Sequence, residues 1–225
     1  LVLYPQPLEP LKLLNKHDYK IPKIWFYEIK GVQDVATLKE ITIAKKLSLP
    51  KAKIFLESRS YLRQSLAALF NLNPLQIPMI ANPGKPPELP NGMGYLSFSH
   101  CNDAIVVAWH QKKIGIDIER IDRNFNYESL AKKYFFTSNN MNILSKEMIL
   151  NQWCAIEAAI KWDHGKLAKD IKQWEYFLNT KDLIHKKKKL QLKFSQINFH
   201  KWTISLAYKE NYCFIPNIIC SSKNF

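Results

Sequence analysis

The sequence predicts an α+β fold with two similar subdomains, each a small, mainly antiparallel sheet packed against one long helix. A strand pattern at residues 23–29 precedes an amphipathic helix pattern at 52–70. The same order recurs at residues 114–121 and 146–162. Apolar residues form a short continuous run at 23–29 and alternate at 114–121, whereas they recur every three or four positions in the helix patterns, which distinguishes strands from helices. We therefore predict a pseudo-twofold chain with subdomains at residues 1–110 and 111–225.

Each predicted helix has an apolar stripe that should face its sheet. Leu62, Leu66 and Leu69 form the stripe of the first helix, and the second helix repeats apolar residues at steps of four, three and four. Those residues are Ile149, Trp153, Ile156 and Ile160. A hairpin is predicted at 94–100 and 104–110, after a loop rich in proline and glycine, and closing strands at 191–194 and 202–208.

Length and composition are those of a globular protein. The 225 residues suffice for one large or two small domains, and 47% hydrophobic residues with 23% charged residues exclude wholesale disorder. No apolar run reaches the roughly 18 residues that span a bilayer. Four prolines interrupt residues 1–22, where a signal peptide would have its apolar segment, so we expect an extended arm there and a cytoplasmic protein.

Cysteine spacing argues against two kinds of site, and the net charge indicates which partners to expect. Cys101, Cys154, Cys213 and Cys220 form no CxxC pair, so neither a zinc site nor a disulfide framework is expected. With 33 Lys and Arg against 19 Asp and Glu, the net charge of +14 attracts nucleic acid, anionic membrane or an acidic protein. The four lysines at 186–189 favour a solvated turn over a docking patch for an acidic partner.

Three carboxylates are candidate metal ligands. Asp117 and Glu119 lie two residues apart on one strand face, and Glu157 lies four residues before Lys161 on one helix face. The ordinary interpretation of the first pattern is a solvent-exposed strand face, and that of the second is an ion pair on the surface of a helix. Carboxylates held this close repel unless a cation separates them, and Mg²⁺ prefers such oxygen ligands.

Several basic or polar residues are candidate phosphate ligands. Ser99 and His100 end a predicted strand, where side chains and amides can meet a phosphate. Arg59 and Arg63 lie one helical turn apart, as a phosphate clamp or a solvated pair would, and Lys85 has the same two interpretations.

Three segments together resemble a known family. GKPPELPNGMGYLSFSH at 84–100, IGIDIERI at 114–121 and WCAIEAAIK at 153–161 are similar in order and spacing to the motifs of 4′-phosphopantetheinyl transferases of the larger, surfactin-synthetase type. That family is built from two related halves with the active site in the cleft between them. One position departs from the pattern, since Ile156 stands where the family has a lysine. The departure bears on turnover and coenzyme A affinity rather than on reaction type.

The resemblance implies a role for each candidate. Asp117, Glu119 and Glu157 would hold Mg²⁺, or Mn²⁺ as a substitute, against the pyrophosphate of coenzyme A, which is the co-substrate. Glu157 would take the proton of the carrier serine, and Lys161 would stabilise the departing 3′,5′-ADP. Coenzyme A phosphates would be bound by Ser99, His100 and Lys161, and its 3′-phosphate by Lys85 with Arg59 or Arg63.

The resemblance also implies the partner. An acidic acyl or peptidyl carrier protein of fatty-acid, polyketide or nonribosomal peptide synthesis would be attracted by the basic charge. We expect a monomer that binds neither membrane nor nucleic acid. The alternatives are a basic nucleic-acid-binding protein, which leaves the carboxylates unexplained, and a metal-dependent nuclease, which accommodates them.

Overall fold

The chain folds into a mixture of helices and strands, which confirms the predicted α+β class. The computed structural model describes residues 21–31, 35–81, 85–135, 145–209 and 217–220, the last of these as backbone only. The helices are α1 (Leu38–Ala44), α2 (Leu49–Phe70), α3 (Tyr127–Tyr134), α4 (Lys146–Trp162) and α5 (Leu167–Asp170). The strands are β1 (Lys23–Glu28), β2 (Tyr95–His100), β3 (Ala104–His110), β4 (Ile114–Arg120), β5 (Trp174–Phe177), β6 (Asp182–His185), β7 (Leu190–Phe199), β8 (Trp202–Tyr208) and β9 (Asn217–Cys220).

The strands form two sheets. Sheet 1 has the order β2-β3-β1-β9, in which β9 is parallel to β1 and the other pairs are antiparallel. Sheet 2 has the order β4-β8-β7-β6-β5 and is antiparallel throughout. The C-terminal strand β9 therefore belongs to the sheet of the N-terminal half, across the predicted boundary at 110/111.

Three apolar clusters arrange the elements in four layers. Between the sheets, the side chains of Phe26 and Val106 from sheet 1 pack with Ile116 and Ile204 from sheet 2. On the outer face of sheet 1, α2 packs its leucines, and on the outer face of sheet 2, α4 packs residues such as Ile156. The order is thus α2, sheet 1, sheet 2, α4, with one long helix per sheet as predicted, while the pseudo-twofold relation stays a prediction.

The predicted helical stripes are buried. Leu62 and Leu66 are fully buried and Leu69 is nearly so, which holds α2 on sheet 1. The α4 stripe is buried as well, except that Trp153 keeps some exposure. The side chain of Ser145 accepts a hydrogen bond from the backbone N–H of Met148 and caps the N-terminus of α4.

A buried ion pair fixes the short helix α1 to α2. Arg63 Nε lies 3.1 Å from Glu40 Oε2, and the two side chains are 5% and 4% exposed. The Arg63 Nη1 group donates to the carbonyls of Pro74 and Ile77, at 3.2 and 3.1 Å. Because Glu40 is also the N3 residue of a capping box with Thr37, one carboxylate organises both the start of α1 and its packing.

Some predicted features lie outside the described residues. These are residues 1–20 of the arm, Cys213, and the Gly84 position at the start of the first motif. Among the residues that are described, no helix has both the length and the apolar character needed to cross a membrane.

Candidate active site

A cavity of about 660 Å³ lies where the edge strands of the two sheets meet under α4. Its walls come from β2 and β4, from the C-terminal half of α4, and from the Pro86–Pro87 segment. Strand β2 is the edge of sheet 1 and β4 is the edge of sheet 2, so side chains of both sheets reach the same space.

Two serines of β2 join the sheet edges. The backbone N–H of Ile116 donates to Ser97 Oγ at 3.0 Å, and Ser99 Oγ donates to Asp117 Oδ1 at 2.7 Å. The first contact provides an acceptor for the backbone N–H of Ile116, which lies on an edge strand and has no neighbouring strand on that side within the described part of the chain. The second fixes the first candidate ligand against the opposite sheet.

Gly115 lets α4 approach β4 closely. A Cβ atom at this position would lie 2.1 Å from the carbonyl oxygen of Ala158 and 2.6 Å from the amide nitrogen of Trp162. Only glycine fits between strand and helix here, because real Cβ contacts this short do not occur. The close packing brings the same strand face, which carries Asp117 and Glu119, up to the helix.

The structure brings the three candidate carboxylates together. One ligand oxygen each from Asp117, Glu119 and Glu157 lies within 4.8 Å of the other two. Asp117 is 2% exposed, and its Oδ2 atom has no hydrogen-bond partner among the described residues. A buried carboxylate oxygen without a partner is costly, and a cation would satisfy it. This all-oxygen donor set fits a hard divalent cation such as Mg²⁺.

The pKa values of the two glutamates in this group are raised. Burial, and then the charge of Asp117, raise the pKa of Glu157 to about 8. The same two causes in the same order raise the pKa of Glu119 to about 7, against the opposing effect of Arg123. Without a cation the group therefore holds a shared proton near neutral pH.

Lys161 and Ser99 form a network with Asp117. Lys161 Nζ donates to Asp117 Oδ1 and to Ser99 Oγ, at 2.6 Å each. The lysine thus pairs across to β4, instead of with Glu157 one turn before it. The Lys161 side chain is 31% exposed and lines the cavity, so its ammonium group is available to an anion bound there.

His100 lies at the end of β2 on the cavity wall. Its side chain keeps contact with solvent, yet desolvation by the wall lowers its pKa, and Lys161 lowers it further while Asp117 opposes this. The imidazole is therefore neutral at pH 7 and can donate one hydrogen bond to a phosphate oxygen.

The predicted 3′-phosphate ligands lie off the cavity wall. Arg63 forms the ion pair with Glu40, and the Arg59 guanidinium lies 4.9 Å from the Phe55 ring centroid, with Nε and Nη1 unpartnered among the described residues. Lys85 is exposed and adjoins Pro86, which lines the cavity. The role of these three residues in binding phosphate stays a prediction.

Other polar residues line the cavity without having been predicted. Arg123 Nη1 lies 2.6 Å from Glu119 Oε2, and Lys113 and His164 lie at the other end of the site. The alternation of Ser97 and Ser99 along one strand face is a signal that could have identified Ser97. No sequence pattern marks Lys113 or His164, which come together from β4 and the end of α4.

Comparison with known proteins adds no family assignment. No protein-family model matches the chain, and no curated protein sequence matches it significantly.

Proposed function

We propose that this protein transfers the 4′-phosphopantetheine group of coenzyme A to a serine of an acyl or peptidyl carrier protein and releases 3′,5′-ADP. The observation that carries the proposal is the convergence of three carboxylates with Lys161 and Ser99 at one cavity. These residues come from the three segments whose order resembles the transferase motifs. A diphosphate substrate needs both a bound cation and a separate positive side chain, and the grouped carboxylates and Lys161 support these two roles.

Asp117, Glu119 and Glu157 would hold the divalent cation. Mg²⁺ bound there would neutralise charge on the diphosphate. The unpartnered Oδ2 atom of Asp117 and the raised pKa values of the two glutamates support this role, because each is a cost that a cation relieves.

The side chains around the carboxylates would bind and orient the reactants. Ser99 and His100 would donate hydrogen bonds to the diphosphate. Glu157 would accept the proton of the carrier serine, whose oxygen forms a bond to the β-phosphorus as the bond to the bridging oxygen breaks. Lys161 would then stabilise the negative charge on the leaving 3′,5′-ADP.

The basic charge of the chain supports an acidic protein as the acceptor. A net charge of +14 steers an acidic carrier to the protein, and added salt should weaken the encounter. The chain contributes all the proposed site residues itself, so we propose that it acts as a monomer.

The test is incubation with coenzyme A, Mg²⁺ and several apo carrier proteins, followed by mass spectrometry of the intact carrier. The expected product carries one added phosphopantetheine, and Asp117→Asn should give none while its circular dichroism stays that of the wild type. Absence of the product with every carrier would refute the proposal. Mg²⁺-dependent cleavage of DNA or RNA that Asp117→Asn abolishes would favour the nuclease instead.

A further inference from the structure

One end of the cavity carries basic residues that the proposed reaction does not use. Lys113 precedes β4, and His164 follows α4 by two residues. Both line the cavity, together with Gly165. Lys113 lies before the first residue of β4, and Glu119 lies near the other end of that strand. Neither Lys113 nor His164 is part of the carboxylate group or of its hydrogen-bond network.

Lys113 is fixed in place at this end. Its Nζ lies 4.4 Å from the Trp162 ring centroid, and its carbonyl oxygen accepts a 2.8 Å hydrogen bond from Trp162 Nε1. Burial is the main cause that lowers the pKa of Lys113. The charge of Asp163 raises it, and the charge of Lys188 lowers it further. Its ammonium has no ion-pair partner within the part of the chain that the structure describes. A fixed, partly desolvated ammonium binds an anion with little further loss of side-chain entropy.

His164 is held beside it by the end of α4. Its backbone has φ of 54°, a left-handed conformation that a non-glycine residue rarely adopts, and its N–H donates to the Lys161 carbonyl at 3.2 Å. Desolvation lowers the pKa of His164, and Lys113 lowers it further, while Glu88 and Asp163 raise it. Asp163 forms an ion pair with Lys188, so its negative charge does not fully neutralise Lys113 and His164.

We infer that Lys113 and His164 form a second anion subsite, which binds a phosphomonoester on the same ligand whose diphosphate lies at Lys161. Both residues line the same cavity, so a phosphate bound between them would accept a hydrogen bond from each and would be attracted by the Lys113 ammonium. A neutral imidazole suffices for this, because it still has one N–H to donate.

The identity of the ligand rests on the proposed function. Coenzyme A and 3′,5′-ADP carry a 3′-phosphomonoester apart from the phosphates at the 5′ position. Arg63 is paired with Glu40, and neither Arg59 nor Arg63 lines the cavity. Lys113 and His164 do line it, so we assign recognition of that group to them.

The test compares the binding of 3′,5′-ADP and 5′-AMP, which differ only in the 3′-phosphate, by calorimetry with Mg²⁺ and without a carrier protein. Wild type should bind 3′,5′-ADP about tenfold more tightly, since the extra phosphate adds charge-assisted hydrogen bonds. Lys113→Met should remove most of this preference and leave 5′-AMP affinity unchanged. His164→Gln should retain part of it, and His164→Ala should lose more.

Lys112→Met is the matched control, because Lys112 is adjacent but does not line the cavity. It should keep the wild-type preference. Equal affinity of the wild type for the two nucleotides, or an unchanged preference in Lys113→Met, would overturn the inference. The transfer assay is independent of this result, so a failed subsite and a failed function give different outcomes: phosphopantetheine can be transferred with no preference for the 3′-phosphate.

Discussion

Replacing Glu157 by glutamine should stabilise the metal-free protein at alkaline pH, although it removes a residue that the proposed reaction needs. The substitution keeps the shape of the side chain and removes one of the charges gathered within 4.8 Å. The folded pKa of Glu157 is raised to about 8 from an ordinary value of 4.5. The charged form is therefore disfavoured in the folded state relative to the unfolded chain.

The sign of the pH dependence follows from this rise. Below pH 4.5 the carboxyl is protonated in both states and costs nothing. As the pH rises from 4.5 to about 8, the unfolded chain loses its proton first, so stability falls across that interval and stays low above it. The glutamine variant carries no such proton, so its advantage over the wild type should grow over the same interval.

The magnitude can be worked from the interval between the two pKa values. The difference, 8 − 4.5 = 3.5, at about 1.36 kcal/mol for each pKa unit, sets an upper limit of about 5 kcal/mol. The titration of Glu157 is coupled to the charge of Asp117 and is partly offset by Lys161, so the gain in stability should be smaller than this limit. We expect Glu157→Gln to raise the free energy of unfolding by about 2 kcal/mol at pH 8.5 and by about 0 at pH 4.5.

The assay is urea unfolding in EDTA, followed by the fluorescence of the six tryptophans, with the same titration repeated in Mg²⁺. Mg²⁺ should raise the free energy of unfolding of the wild type at pH 8.5, and by much less in Glu157→Gln. A variant no more stable than the wild type in EDTA at pH 8.5 would contradict the electrostatic cost assigned to Glu157. A stability difference between the two proteins that does not depend on pH would contradict it as well.

Four further substitutions test the packing at the cavity, the hydrogen bonds of the site, the buried ion pair and the lysine-rich turn. Gly115→Ala places a Cβ 2.1 Å from a helix carbonyl, so urea unfolding should show a loss of about 1–3 kcal/mol, and wild-type stability would contradict the close packing. Ser99→Ala removes contacts to Asp117 and Lys161, so transfer should fall about tenfold with unchanged circular dichroism, and full activity would remove Ser99 from the site. Arg63→Met leaves Glu40 buried and unpaired and should cost about 3–5 kcal/mol of stability. A stable variant with weakened coenzyme A binding would instead identify Arg63 as a phosphate ligand. Lys187→Ala, in an exposed turn, should leave both stability and transfer unchanged, and a raised KM for the carrier would identify the turn as a docking patch.

The long elements were predictable because their apolar periodicity is strong and local. The helix predicted at 146–162 is observed as Lys146–Trp162, and the strand predicted at 114–121 as Ile114–Arg120. The helices α1, α3 and α5 and the strands β5, β6 and β9 were not predicted. Each has eight residues or fewer, and a pattern this short does not distinguish a helix from a strand or a loop. Strand β6 depends on pairing with β5 and β7, and α1 depends on the distant Arg63.

The residues of the candidate site also fall into those that local spacing predicts and those that only the tertiary fold brings together. Two-residue spacing on a strand and four-residue spacing on a helix are local rules, and they placed Asp117, Glu119 and Lys161 on the correct faces. Sequence spacing does not distinguish an arginine in a buried ion pair from one that binds phosphate, because Glu40 is 23 residues from Arg63. Lys113 and His164 meet only because β4 and α4 run side by side, which is a property of the tertiary fold.

Titration of the purified protein with Mn²⁺, followed by electron paramagnetic resonance of the free ion, tests the metal site most directly. Three carboxylate oxygens within 4.8 Å should bind one ion per chain, more tightly when coenzyme A is present. Asp117→Asn should lose that binding, whereas Asp122→Asn, on the exposed turn after β4, should retain it. Binding in Asp117→Asn equal to that of the wild type would contradict the assignment of the three carboxylates as the metal centre.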